Sequence, residues 1–144
     1  MAIIKEVTIT VSGNTSRISK DVFLYLGDGA TTLLIEIVES DTIFGTFRNE
    51  NSNIVTENNT KWARVCVLKA NNELVYGDKC EIIDGKIKFT IGKEFIDKLG
   101  EEGEHLLQIH LYDSEDSDAN RFTIPPISIN ILKPICDIGH DSTP

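Results

Sequence analysis

The sequence predicts an all-β protein, an immunoglobulin-like antiparallel β-sandwich with one short helical turn. Apolar and polar residues alternate with a period of two along most of the chain, and turn signals rich in Gly, Asn and Asp separate the alternating runs. Only one short stretch has helical spacing. A chain of 144 residues with 40% apolar residues fits one domain. We expect residues 1–132 to form that β-sandwich domain and residues 133–144 to form a C-terminal tail.

Four runs place apolar residues at alternate positions, as a strand with one buried face requires. These sets are Ile3, Val7, Ile9 and Val11; Leu33, Ile35 and Ile37; Ile87, Phe89 and Ile91; and Leu107, Ile109 and Leu111. A further stretch, residues 62–68, is apolar on both faces except at Arg64, which is typical of a central strand covered on both sides. We therefore expect Trp62 and Val65 to lie in the core.

Two local signals define a hairpin and the helical turn. Asp84 and Gly85 separate two apolar runs, and both residue types tolerate the positive φ angles of a two-residue hairpin turn. In residues 93–99, Phe95 and Leu99 lie four positions apart, and Gly100 follows as a left-handed cap. The chain therefore predicts a tight hairpin at residues 84–85 and a helix of one or two turns at residues 93–99.

Near the C-terminal end the alternation changes parity. Phe122 and Ile124 are even-numbered, whereas Ile127, Ile129 and Ile131 are odd-numbered, with Pro125 and Pro126 between the two sets. A bulge or a jump between sheets would keep both sets inward. Because proline has no amide donor, we expect residues 122–132 to lie at a sheet edge.

The net negative charge of the chain argues against nucleic acid as a partner. Fourteen Lys and Arg residues stand against 23 Asp and Glu, a formal net charge of −9, and residues 94–118 alone hold nine acids and one lysine. Such a surface repels phosphate backbones, so we expect no nucleic-acid partner. No apolar run is long enough to cross a membrane, and the first residues lack an export signal. We interpret the acidic stretch as a solvated rim in preference to its alternative, a docking surface for a basic partner.

The candidates for catalysis and metal binding are few. Only His105, His110 and His140 are available, and the chain has no Gly-x-Ser-x-Gly motif. Cys136 and His140 lie four apart, but no second ligand pair accompanies them. Residues 113–120 are rich in oxygen ligands without matching the helix-loop-helix calcium pattern, so an acidic hairpin tip is favoured. We predict no catalytic residue, no cofactor and no metal site.

The three cysteines are Cys66, Cys80 and Cys136, an odd number without a secretion signal, so at least one thiol is free. Cys66 and Cys80 occupy apolar strand patterns and are interpreted as small core residues. In an oxidising compartment these two could form a disulfide.

The order of elements resembles the N-terminal domain of phage baseplate upper proteins, which occur in the tail tips of phages infecting Gram-positive hosts. The likeness covers residues 3–132. In the first half of the chain it is carried by FLYLGD at residues 23–28, which leads into TLLIEI at residues 32–37, and by the strand of residues 63–70. In the second half it is carried by the Asp84-Gly85 hairpin, by FIDKL at residues 95–99 and by the GEEG turn at residues 100–103. The last two strands, which end at Leu132, complete the likeness. These are patterns of strands and turns, and they carry no catalytic residue.

The resemblance implies a structural virion protein of the phage baseplate or tail tip and not an enzyme. It would be a platform that docks to other tail proteins, positions receptor-binding modules, forms an oligomer and passes through the host cytoplasm during assembly. Members of this family usually continue into a coiled-coil, collagen-like or receptor-binding region, whereas this sequence ends at Pro144.

The alternative is a carbohydrate-binding or adhesin-like β-sandwich module, which would need exposed aromatic side chains. Phe44 and Phe47 are candidates, because they lie beside an Asn-rich loop, residues 49–60, that is either functional or flexible. The candidate interaction residues are Phe44, Phe47, Asn49, Asn51 and Asn53 in and beside this loop, and Phe122 and Ile124 in the last strands.

Overall fold

The all-β prediction is confirmed by a computed structural model, which describes residues 3–29, 31–40, 42–43, 46–47, 52–57, 59–115 and 120–135. The strands are β1 (Ile3–Ser12), β2 (Thr15–Ile18), β3 (Phe23–Tyr25), β4 (Thr31–Glu39), β5 (Thr42–Ile43), β6 (Thr46–Phe47), β7 (Ser52–Asn53), β8 (Trp62–Leu68), β9 (Leu74–Ile83), β10 (Lys86–Ile91), β11 (Gly103–Tyr112), β12 (Arg121–Thr123) and β13 (Ile127–Leu132), with helices α1 (Ile54–Glu57) and α2 (Lys93–Leu99).

Most strands belong to one curled sheet in the order β2-β1-β4-β10-β9-β8-β11-β13-β3, with β7 beside β4 and β12 beside β11. The curl brings β2, at one end of this order, close to the segment before β13, near the other end, where the Ser16 hydroxyl donates a hydrogen bond to the Pro125 carbonyl at 2.7 Å. Alternate residues of the strands fill the inside of the curl. Its fully buried side chains include Ile9, Ile37, Ile87, Ile109 and Ile129.

The sheet is mixed, so the prediction of a purely antiparallel arrangement was wrong. β1 pairs with β4 in parallel, and β13 pairs with β3 in parallel. The reason lies in the path of the chain, because β3 crosses to the far edge of the sheet before β4 returns beside β1. Such a return from the same end of the sheet makes a parallel pair, which needs a longer connection than a hairpin provides.

The predicted hairpin and helix are both confirmed. Asp84 and Gly85 have φ angles of 50° and 75° and join β9 to β10. Helix α2 spans Lys93–Leu99, and Gly100 ends it in the left-handed conformation with its amide bonded to the Ile96 carbonyl.

A second helical turn, α1, was not predicted. The Asn53 Oδ1 atom accepts hydrogen bonds from the amides of Val55 at 3.0 Å and Thr56 at 3.4 Å, and so begins this turn within the Asn-rich region.

The change of parity near the C-terminus is a bulge between β12 and β13, opposite β11. Ile124 donates its amide to the Ile109 carbonyl, and Ile127 lies opposite Leu107, so Pro125 and Pro126 together face one residue of β11. Ile124 and Ile127 both stay buried, as predicted, but Phe122, the other member of the even set, is exposed and departs from the prediction.

The predicted edge position holds for β12 and not for β13. Among the described strands β12 pairs with β11 alone, but β13 lies between β11 and β3. Both prolines fall in the bulge, which leaves every residue of β13 with an amide for pairing and allows β3 to add beyond it.

Central strand β8 lies between β9 and β11, and both Trp62 and Val65 are buried, as predicted. Ile3 differs from its prediction, since its side chain is 53% exposed. It pairs with Thr31, the first residue of β4, and therefore lies beyond the end of the core.

Candidate functional site

A cavity in the described part of the chain opens where β9 separates from β10. Residues 81–83 of β9 pair with β10, whereas most of β9 pairs with β8, with an irregularity opposite residues 64–66 of β8. The resulting cleft, which we call the β9–β10 cleft, has a volume of about 1010 Å³ and is bounded at one end by α2. It exists because Glu81 pairs with both β8 and β10, whereas residues 74–80 of β9 follow β8 alone and separate from β10.

Aromatic rings form the floor of the β9–β10 cleft. Phe89 and Phe95 pack edge to face, with ring centroids 5.4 Å apart. Gly77 of β9 lies directly over them, because a Cβ atom at this position would stand 3.5 Å from Phe89 and only 3.2 Å from the Val65 carbonyl oxygen. A larger residue at position 77 would push β9 away from β8.

Charged side chains line the walls of the cleft. One wall-lining set is cationic: Lys61, Lys79, Lys88, Lys93 and Lys98. The other is anionic: Asp78, Glu81, Glu94 and Glu115. Of the five lysines, only Lys88 has a carboxylate within 4.0 Å in the described part of the chain, that of Glu81 at 3.7 Å.

An aromatic and cationic stack forms the side wall. Tyr112 lies flat against Trp62, with ring centroids 3.9 Å apart, and the charged ends of Lys79 and Arg64 lie over the indole at 4.7 Å and 5.3 Å. The indole Nε1–H donates to the Ser114 carbonyl at 2.7 Å. Because Tyr112 covers one face of the indole, the two cations must cover the other, and Trp62 offers no free ring face. The exposed aromatic ring on the cleft wall belongs to Tyr76, which is 59% exposed.

The structure describes only part of the predicted set of interaction residues. Phe44, Asn49 and Asn51 lie outside the described residues, and of Phe47 only its place in β6 is described. The half-buried Asn53 uses its side chain internally, since its Nδ2 also donates to the Gly85 carbonyl at 3.1 Å.

The last two predicted interaction residues differ sharply in exposure. Phe122 is 45% exposed, whereas Ile124 is 1% exposed and belongs to the core.

No signal in the sequence pointed to the β9–β10 cleft. Its lining residues are spread over positions 61–115 and form no motif. Each of them is of a type that is common in strands and helices without any functional role.

The two described cysteines lie on opposite faces of the sheet. Cys80 pairs with the buried Ala63, whereas Cys66 pairs with Tyr76 on the outer face, and both are free thiols. Burial raises the pKa of Cys80 to about 11 and also raises the pKa of Cys66. Both thiols are therefore protonated at neutral pH and poor nucleophiles. Cys136 and His140 lie outside the described residues.

His105 has a structural role. It is 1% exposed, its Nδ1 accepts the Ala70 amide at 3.1 Å, and its Nε2 lies 3.0 Å from the Glu101 carbonyl. With both ring nitrogens engaged, His105 joins the turn after β8 to the turn before β11.

His110 is expected to make stability depend on pH. Burial lowers its pKa below the ordinary 6.5, and the cations Arg121 and Arg64 lower it further. Below pH 6.5 the unfolded chain therefore binds more protons at this site than the folded chain, so stability falls as the pH drops through 6.5 and levels off below the folded pKa.

The measurement is urea unfolding of the original protein and His110→Gln at several values between pH 7.5 and pH 5. Contributions of the carboxylates cancel in the difference between the two proteins. We expect the original protein to lose more stability over this range than His110→Gln, and parallel pH curves would contradict the prediction.

Within residues 3–135, gaps aside, no group of three or more His, Cys, Asp and Glu side chains is placed to hold a metal ion. The oxygen-rich stretch at residues 113–120 is only partly described, because residues 116–119 fall in a gap. None of the described helices has the length and apolar character needed to cross a membrane.

Comparison with known proteins adds no relative: neither family models nor curated proteins match this chain.

Proposed function

We propose that this chain is a structural component of a phage baseplate or tail tip, a platform that docks to neighbouring tail proteins and positions receptor-binding modules. In this proposal the protein acts by association, as an oligomer within the virion, and turns over no substrate. The resemblance of the order of strands and turns to phage baseplate upper proteins is the reason for proposing this family. One surface of the sheet is the observation that carries the docking role.

The finer fold that goes with this proposal is an immunoglobulin-like sandwich. One layer would consist of β2, β1, β4 and β10, and the other of β9, β8, β11, β13 and β3. The contact between Ser16 and Pro125 across the ends of the sheet order supports this two-layer arrangement. The antiparallel pattern would hold within each layer except at β1–β4 and β3–β13.

The docking surface is a row of three leucines that we call the outer apolar row: Leu74, Leu68 and Leu106. Leu68 pairs with Leu74 on one side and with Leu106 on the other, so the three side chains stand next to each other across β9, β8 and β11. They point away from the core, because the neighbouring Val67 and Leu107 are buried. Leu74 is 54% exposed and Leu106 is 42% exposed. Clustered exposed apolar side chains are typical of an interaction surface.

The same outer face continues to the edge strand β3. Leu24 is buried, so Phe23 and Tyr25 face outward, and they are 44% and 42% exposed. β3 pairs with β13 along one side, and a neighbouring subunit could pair with its other side.

The experiment is co-expression with the tail proteins encoded beside this chain, followed by size-exclusion chromatography with light scattering. We expect a stable complex at low micromolar concentration, because permanent interfaces bury on the order of 2,000 Å² or more. Leu74→Lys with Leu106→Lys should dissociate it.

Ile4→Lys is the matched control, since Ile4 is also an exposed apolar residue but belongs to β1. A complex that survives the double substitution, or that Ile4→Lys weakens equally, would reject the outer apolar row as the docking surface. Failure of every neighbouring tail protein to bind would reject the platform itself.

A further inference from the structure

We propose that the β9–β10 cleft binds an anionic sugar, a small hydroxylated ligand that carries a phosphate or carboxylate group. This binding site is separate from the outer apolar row and does not depend on the tail-tip proposal. It rests on the distribution of charge, on the fixed position of Lys79 and on the floor and size of the cleft.

The charge of the cleft departs from that of the protein as a whole. Five of the 14 Lys and Arg residues line it, in a chain whose formal net charge is −9. Lys61, Lys93 and Lys98 have no carboxylate within 4.0 Å in the described ranges, so their charges are not neutralised by a close partner there. Four acids share the lining with the five lysines, so the cleft has a formal net charge of +1 on a strongly anionic protein, and this local excess of positive charge favours an anion.

Lys79 is held in position at the cleft wall. Its ammonium lies 3.3 Å from the Glu115 carbonyl oxygen and 4.7 Å from the centre of the Trp62 ring. An ammonium group has three N–H donors, and these two contacts leave capacity for a ligand oxygen. Because neither contact is a carboxylate, Lys79 keeps its full charge for the ligand.

The floor and the acidic residues indicate which anion fits. Phe89 and Phe95 give the cleft an apolar base, which strengthens electrostatic attraction above it. The carboxylates of Asp78, Glu94 and Glu115 line the same cleft and would repel a highly charged polymer, but they accept hydrogen bonds from hydroxyl groups. Together these features favour a ligand with one anionic group and several hydroxyls, and the exposed ring of Tyr76 can pack against a sugar.

The volume of about 1010 Å³ suits a small ligand. Pockets for small molecules commonly measure roughly 300–1,000 Å³. The cleft is therefore large enough for a mono- or disaccharide.

The test is titration of the full chain with glucose 6-phosphate, glucuronate and glucose at low ionic strength, followed by isothermal calorimetry. We expect glucose 6-phosphate or glucuronate to bind with a dissociation constant on the order of 1 mM or below, and glucose to bind more weakly. The two anionic probes distinguish a phosphate from a carboxylate as the preferred group.

Lys93→Gln with Lys98→Gln should weaken binding of the anionic probe about tenfold, since each exposed charge contributes up to roughly 1 kcal/mol. Lys20→Gln with Lys133→Gln is the control, because both lysines are exposed, lie outside the cleft and change the net charge equally. Equal weakening by the two pairs would show long-range attraction only and overturn the site. Equal binding of glucose, or no binding of either anion, would also overturn it.

Discussion

Replacement of Trp62 by alanine is expected to lower the free energy of unfolding by about 3 to 5 kcal/mol, the usual loss when a large buried side chain is truncated. Trp62 is 8% exposed, stacks on Tyr112 and donates its Nε1–H to the Ser114 carbonyl. The alanine variant removes the stack, leaves that carbonyl without this donor and frees Lys79 from the indole. The loss thus combines packing with a broken hydrogen bond.

Urea unfolding followed by far-UV circular dichroism measures this loss, since Trp62 is the only tryptophan and its fluorescence disappears with it. Trp62→Phe keeps a ring against Tyr112 but loses the N–H donor, so it should fall between the original protein and Trp62→Ala. Tyr76→Ala is the exposed aromatic control and should change stability by about 0.5 kcal/mol or less. A loss below about 1 kcal/mol for Trp62→Ala would contradict the packing described for the stack.

The second large effect is expected from a charge on the inner face of β13. Ile129 is completely buried, whereas its neighbour Ser128 is exposed. Ile129→Asp places an unpaired carboxylate in the core, which costs several kcal/mol and should leave the chain largely unfolded at neutral pH. Ser128→Asp adds the same charge one residue away and should leave stability nearly unchanged.

A second pair of substitutions tests the bulge. Ile124 is buried at an even position and Ile127 at an odd one. Ile124→Asp should therefore be as damaging as Ile127→Asp, which a strand with unbroken alternation could not produce. Thermal unfolding by circular dichroism ranks the four variants, and tolerance of either Ile124→Asp or Ile129→Asp would refute the register.

Local features of the fold could be predicted from the sequence because a few neighbouring residues determine them. The hairpin at Asp84 and Gly85 depends on two residues with positive φ, and α2 ends at Gly100 for the same reason. The bulge could be predicted because Ile124 and Ile127 break the alternation on either side of two prolines. Each of these signals lies within a few residues of the structure it produces.

The parallel pairs and the cleft could not be predicted in this way. Val7 of β1 pairs with Ile35 of β4, but the apolar alternation of β1 would be the same beside any other strand. The β9–β10 cleft depends on where β9 leaves β10, and its lysines come from the residue before β8, from β9, from β10 and from α2. Period-two patterns specify which face of a strand is buried and not which strand is its neighbour.

The position of β3 has a consequence for how the protein folds during synthesis. β3 is synthesised well before its partner β13, which ends at Leu132, more than 100 residues later. Until that last strand is made, Phe23 and Leu24 have no sheet to join, and the early strands form only a partial layer. Long-range pairing of this kind raises the contact order and slows folding. We therefore infer that the nascent chain keeps Phe23 and Leu24 exposed until β13 has been made, and that over this period it is most open to aggregation or to capture by a chaperone.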